Sequence, residues 1–283
     1  MSKNFVQNAL LRQSLLTAYR GYARAQFWRS GPRIFVNSIP KAGTHLLTAE
    51  LEKFPQLQNS RLHIEAHRVN VASDGRRAEK FLIDAGRVAS QIETVRPGQF
   101  FTAHLMWSGA LEAVLHEKNV KTIVMLRDPR AILVSRLHYI KGLKRHFLHD
   151  FFTNVLASDK ERYRVLMEGR DGDPYIRSFV DTVDGFLPWL QSASVLCVRF
   201  EDLVGERGGG TVEAKRETFR RICDHTGLPT EHVEEYAVTA AKATPTLRDG
   251  RADSWRGKLP DDILEMATER LTPSLALMGY PLS

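Results

Sequence analysis

An α/β fold, a single domain built on a parallel β-sheet flanked by helices, is what the sequence predicts, and two features predict it. Short β-branched or aromatic runs alternate with helical stretches along the chain. No internal repeat or long linker divides the 283 residues, and 43% hydrophobic content can fill one substantial core.

Residues 3–29 read as an amphipathic helix, with Phe5, Ala9, Leu15, Leu16, Tyr19, Tyr22 and Ala23 apolar and Arg12, Arg20, Arg24 and Arg29 basic. The expected organisation is therefore a helical segment at 1–30 packed on a main domain at 31–283. Gly31-Pro32 ends the first helix, and Arg33-Ile34-Phe35-Val36-Asn37 has the length and composition of a buried strand. A loop at 38–43 leads into a helix over 44–54, with Pro55 at its end. A second strand is expected at 100–104, a helix at 109–118, a third strand at 121–126 and a helix at 129–139, where Pro129 suits the first turn because its missing N–H has no partner to lose. The charged stretch 140–180 reads as helices and loops over the sheet. A fourth strand at 194–200, a glycine-rich stretch at 205–210 and a helix near 213–226 follow.

The net charge of +7 favours an anionic ligand, yet no Lys/Arg block resembles a nucleic-acid arm, so nucleic acid is not an expected partner. Cys197 and Cys223 are too few for a disulfide framework and too far apart for a CxxC motif, which fits a reducing compartment. No run of 18 apolar residues occurs, and Arg12, Gln13 and Ser14 interrupt the apolar residues near the start. A soluble, cytoplasmic chain without stable membrane insertion is expected. The sequence leaves oligomeric state open.

The most informative segment is Pro40-Lys41-Ala42-Gly43-Thr44, between the first strand and the first helix. A helix N-terminus presents unpaired N–H groups and the positive end of the helix dipole to an anion. Gly43 lets the backbone approach closely, Ala42 is small, Thr44 and His45 add side-chain donors, and Lys41 adds a mobile charge. The spacing is not a Walker A motif, because the lysine precedes the glycine.

This loop resembles the 5′-phosphosulfate loop of the sulfotransferases that use 3′-phosphoadenosine 5′-phosphosulfate (PAPS) and release 3′-phosphoadenosine 5′-phosphate (PAP). Three further segments match in order. Arg127 at a strand end, with Ser135 eight residues on, resembles the family's 3′-phosphate site, a pairing of guanidinium and hydroxyl that suits one anion. Arg248-Asp249-Gly250 with Trp255 resembles the family's Arg-x-Gly loop and downstream tryptophan, although Asp249 stands where lysine is frequent. Phe200-Glu201-Asp202 is similar to the Tyr-Glu-Asp stretch on the adenine side, without the hydroxyl. Leu46 departs from the family, many of whose members carry an adenine-stacking tryptophan there.

The resemblance implies a P-loop-like fold, PAPS as co-substrate, no metal, and transfer of a sulfuryl group to a hydroxyl or amine of a small-molecule or glycan acceptor. It makes Lys41 the residue that stabilises the leaving group and Arg127, Ser135, Phe200, Arg248 and Gly250 further donor contacts. Thr102-Ala103-His104-Leu105 resembles the Thr-His-Leu segment bearing the family's catalytic histidine, so His104 is the expected general base. Glu65 is the alternative base, by likeness to glycan sulfotransferases that use a glutamate. His63 and His67 flank Glu65 four residues apart, on one face if the segment is helical; the HxExH order does not match a zinc motif, and the segment reads as acceptor-pocket lining. His146 and His149 read as surface or capping residues. The alternatives are a P-loop-type kinase or phosphotransferase, which would need a Walker lysine, and a non-catalytic nucleotide-binding module, which would not need both Lys41 and His104.

Overall fold

The computed structural model describes residues 31–71, 83–239, 251–253 and 255–282, together with Ser14, Leu15, Ala18, Gly21, Tyr22 and Ala25. Apart from those six positions, which are helical, the expected N-terminal helix lies outside the described residues.

β1 (Arg33–Ser38) is followed by α1 (Thr44–Leu51), β2 (Gln58–Ile64), α2 (Ala66–Val69), α3 (Ala85–Ile92), β3 (Gln99–Ala103), α4 (Gly109–Glu117), β4 (Val120–Leu126) and α5 (Pro129–Gly142). A π-helical turn at Phe151–Val155 precedes α6 (Asp159–Glu168) and α7 (Phe179–Asp184), and a 3-10 turn at Leu187–Gln191 leads to β5 (Val195–Arg199). α8 (Phe200–Leu203), α9 (Val212–Thr226), α10 (Val233–Val238) and α11 (Asp261–Leu277) complete the described elements.

The five strands form one sheet in the order β2-β3-β1-β4-β5, and every pairing is parallel. Both faces are covered, as a parallel sheet requires. Alternation along β1 sends Phe35 into one core with Phe101 and Trp189, and Ile34 and Val36 into the other with Leu47, Phe54 and Phe219.

β2 was not expected as a strand. Gln58-Asn59-Ser60-Arg61 is polar, and the strand exists because it pairs with β3 at the sheet edge, across an irregularity between Asn59 and His63. The condition under which His63 and His67 would share one helix face is not met: His63 is in β2 and His67 in α2. The predicted helix over 44–54 ends earlier, at Leu51, and the fourth strand stops at Arg199, leaving Phe200 to begin α8.

Behind α1 lies a buried ionic triad. Glu50 is fully buried, with Lys53 Nζ at 2.5 Å and Lys215 Nζ at 2.9 Å, and Lys215 also donates to the Thr239 carbonyl. Loss of one partner from such a group costs roughly 3–5 kcal/mol, because the remaining charge is left buried alone. The triad therefore ties α1 firmly to α9. Among the described residues no helix is long and apolar enough to cross a membrane.

Candidate active site at the C-terminal edge of the sheet

Because all five strands run the same way, the residues just beyond their C-termini gather along one edge: Lys41 after β1, Glu65 after β2, His104 after β3, Arg127 after β4 and Phe200 after β5. Crevices at this edge are where open α/β sheets bind ligands.

The loop after β1 enters the left-handed region twice. Lys41 takes φ 78 and Gly43 φ 114. Only glycine fits at 43, since a Cβ there would meet Phe200 Cδ2 at 2.6 Å and Met125 Cε at 3.1 Å. Gly43 caps α1 without a side-chain bond, and its carbonyl accepts from Leu46 and Leu47. Among the described residues no protein acceptor takes the N–H groups of Gly43, Thr44 or His45, so the first turn of α1 points unspent donors outward. Ala42 is buried beneath the loop. Lys41 Nζ sits over the Tyr139 ring, 4.1 Å from its centroid, a cation–π contact that holds the ammonium at the loop's mouth.

His104 is fixed from both sides. The buried Asn37 amide donates to the Leu105 carbonyl at 2.7 Å and accepts from the Leu105 N–H at 2.9 Å, while Trp189 Nε1 donates to the same carbonyl at 3.0 Å. His104 Nδ1 lies 2.8 Å from the Ser38 carbonyl oxygen. A carbonyl only accepts, so Nδ1 carries the proton and the Nε2 lone pair is left to act as a base. Ser38 Oγ, 2.6 Å from Thr44 Oγ1 and 3.4 Å from His104 Nδ1, joins this histidine to the loop.

The ring is set deep, although an edge still reaches solvent. Burial, with smaller contributions from His63, His45 and Lys41, outweighs the bond to Ser38 and brings its pKa down to about 4. His63 packs edge-on to His104, with centroids 5.1 Å apart, and its Nδ1 lies 2.9 Å from Thr102 Oγ1. Burial lowers the pKa of His63 and of His45, and Lys41 adds to the effect on His45.

Glu65 stands at the same edge, near enough to His63 for its charge to raise that histidine's pKa against the larger effect of burial. It is about half exposed, with Oε2 3.2 Å from both His67 Nε2 and Arg68 Nε.

Arg127 is nearly buried and reaches back to the loop, donating to the Lys41 carbonyl at 3.2 Å and to the Arg251 carbonyl at 3.5 Å. Its guanidinium lies 4.2 Å from the centroid of Phe200. Phe200 is itself buried, and its ring packs against Gly43 and Arg127. Ser135 is half-buried on α5, and Leu46 points into the core beneath the loop. Arg248 and Gly250 lie outside the described residues.

A second layer holds Arg127 in place. Asp128 caps α5 and pairs with the buried Arg130 at 2.8 Å, and Arg130 stacks 4.0 Å from the Trp255 centroid. Glu201 accepts from the Asp128 N–H at 3.2 Å and from the Tyr280 hydroxyl at 2.7 Å. Sequence reasoning passed over Asn37 and Tyr139. An asparagine directly after the apolar run Ile34-Phe35-Val36, in the same buried strand, was a readable signal, since such a group must find partners.

The edge thus brings together two cationic anchors coupled through one backbone bond, a set of open N–H donors and a neutral histidine. Residues 31–279 match the sulfotransferase domain family. Among solved structures, a mouse sulfotransferase, SULT7A1, complexed with PAP is similar at 15% identity and TM-score 0.56, covering 93% of each chain. Retinol dehydratase in a complex with retinol and PAP is similar at 17% identity and TM-score 0.50, covering 91% of this chain and 86% of its own.

Proposed function

This chain belongs to the sulfotransferase domain family and is a PAPS-dependent sulfotransferase; from that premise we propose that it transfers the sulfuryl group of PAPS to a hydroxyl or amine of a small-molecule or glycan acceptor, with His104 as base and Lys41 at the leaving group. The observation that carries the reading is the Arg127 bond to the Lys41 carbonyl, which couples a loop fit for the 5′ end of the donor to a strand end fit for its 3′-phosphate. Ser135 on α5 would share the 3′-phosphate with Arg127.

In the reaction, the acceptor oxygen or nitrogen bonds to sulfur while the bond from sulfur to the bridging oxygen breaks, in line. His104 Nε2 takes the acceptor proton, and the Ser38 carbonyl steadies the charge that the ring then carries. The electron pair left on the bridging oxygen is met by Lys41 and by the N–H groups of Gly43, Thr44 and His45. Lys41 leaves its place over the Tyr139 ring to do this. Glu65 stays engaged with His67 and Arg68, which supports His104 over it as the base.

A kinase of P-loop type would need ATP and magnesium instead. PAP should raise the melting temperature of the protein at concentrations where ATP with magnesium does not; stabilisation by ATP and magnesium alone would overturn the donor assignment. A purely nucleotide-binding role is disfavoured by the oriented, unprotonated Nε2 of His104.

A further inference from the structure

Beside Lys41 lies a surface that the donor does not account for. Tyr139, 40% exposed, carries the Lys41 ammonium on its ring, and His146 meets that ring edge-on at 5.5 Å between centroids. His146 stacks in turn on Phe147, 55% exposed, at 4.9 Å. Three aromatic rings left partly open next to a reactive loop form a platform of the kind that marks ligand sites.

Arg136 adjoins these rings. It stands three residues before Tyr139, on the same face of α5. Among the described residues it has no carboxylate, carbonyl or ring partner, unlike the deep Arg130, which pairs with Asp128, or Arg199, which lies over the Tyr280 ring. It is half-buried, and burial alone brings its pKa down to about 10. Its charge also reaches His146, whose pKa is lowered first by burial and then by Arg136 and His149. A desolvated guanidinium without a counter-ion costs stability, and the cost is recovered when an anion docks on it.

We infer that the acceptor carries an anionic group, a carboxylate, phosphate or sulfate, and that Arg136 receives it while the body of the acceptor lies on Tyr139, His146 and Phe147. This rests on the sulfuryl-transfer reading. The acceptor then spans the platform, its nucleophile toward Lys41 and His104 and its charge at Arg136. Selection works through binding, since a guanidinium left unpaired discriminates against the neutral analogue.

The test uses matched acceptors with PAPS: 4-hydroxybenzoate against 4-hydroxybenzamide, and glucuronate against glucose, which separate an aromatic acid from an acidic sugar. The expected result is roughly tenfold or greater preference in kcat/KM for the acid in at least one pair. Arg136→Gln should collapse that preference toward one, mainly through KM, Arg136→Lys should restore part of it, and both variants should bind PAP within about twofold of the parent. Equal or better use of the neutral members, turnover of none of the four while PAP binds, or loss of PAP affinity in Arg136→Gln would overturn the assignment. Failure of the parent protein to bind PAP would remove the donor reading, and this one with it.

Discussion

Replacing His104 with alanine should lower kcat by about 10²- to 10⁴-fold and leave PAP affinity within a few-fold of the parent, because the base acts on the acceptor proton and not on the nucleotide. Steady-state rates and calorimetric PAP binding measure the two halves. The same residue fixes the pH profile. As the proposed base it acts in its proton-free form, and a pKa of about 4 keeps that form present at neutrality. Turnover of the parent should stay level as pH falls toward 5 and then drop through about 4. Stability moves in the same direction: the folded pKa lies below the ordinary value of 6.5, so the unfolded chain binds the extra proton first. Stability conferred by a neutral His104 is thus present above 6.5 and lost progressively between 6.5 and about 4. Full activity in His104→Ala would transfer the role to Glu65.

Lys41→Ala should cost about 10²- to 10³-fold in kcat, the scale seen when one preorganised donor is removed from a developing negative charge. The loss should fall mainly on kcat, since the open N–H groups of Gly43, Thr44 and His45 remain to hold the nucleotide. The substitution also frees Tyr139 from its cation. Single-turnover rates with PAPS, set beside PAP affinity, separate these effects, and a fall in affinity alone with unchanged single-turnover rate would remove Lys41 from the chemistry.

The strand–loop–helix unit carrying Lys41 was legible because each step has a local cause: the apolar run Ile34-Phe35-Val36, the small residues Ala42 and Gly43, and the helix formers after Thr44. Arg127 and His104 were legible for a related reason, since each directly follows a buried strand of recognisable composition. β2 was not, because its polar first half owes its form to β3. The four-residue spacing of His63 from His67 therefore left open whether His63 lay on a helix, and pairing in the sheet sets its ring against His104. Phe200 could be placed near the donor by motif but not on which side of the loop; only the contact at Gly43 shows the ring beneath it. Arg136 and Tyr139 gave no signal, as their meaning depends on Lys41 and His146, which the chain brings to them from elsewhere.

The proposed function requires a single donor site with an anion anchor at each end. A crystal structure of the protein with PAP tests it most directly. The 5′-phosphate is expected on the N–H groups of Gly43, Thr44 and His45 within reach of Lys41, and the 3′-phosphate on Arg127 and Ser135. A nucleotide bound away from the C-terminal edge of the sheet, or one whose 3′-phosphate touches neither Arg127 nor Ser135, would contradict it.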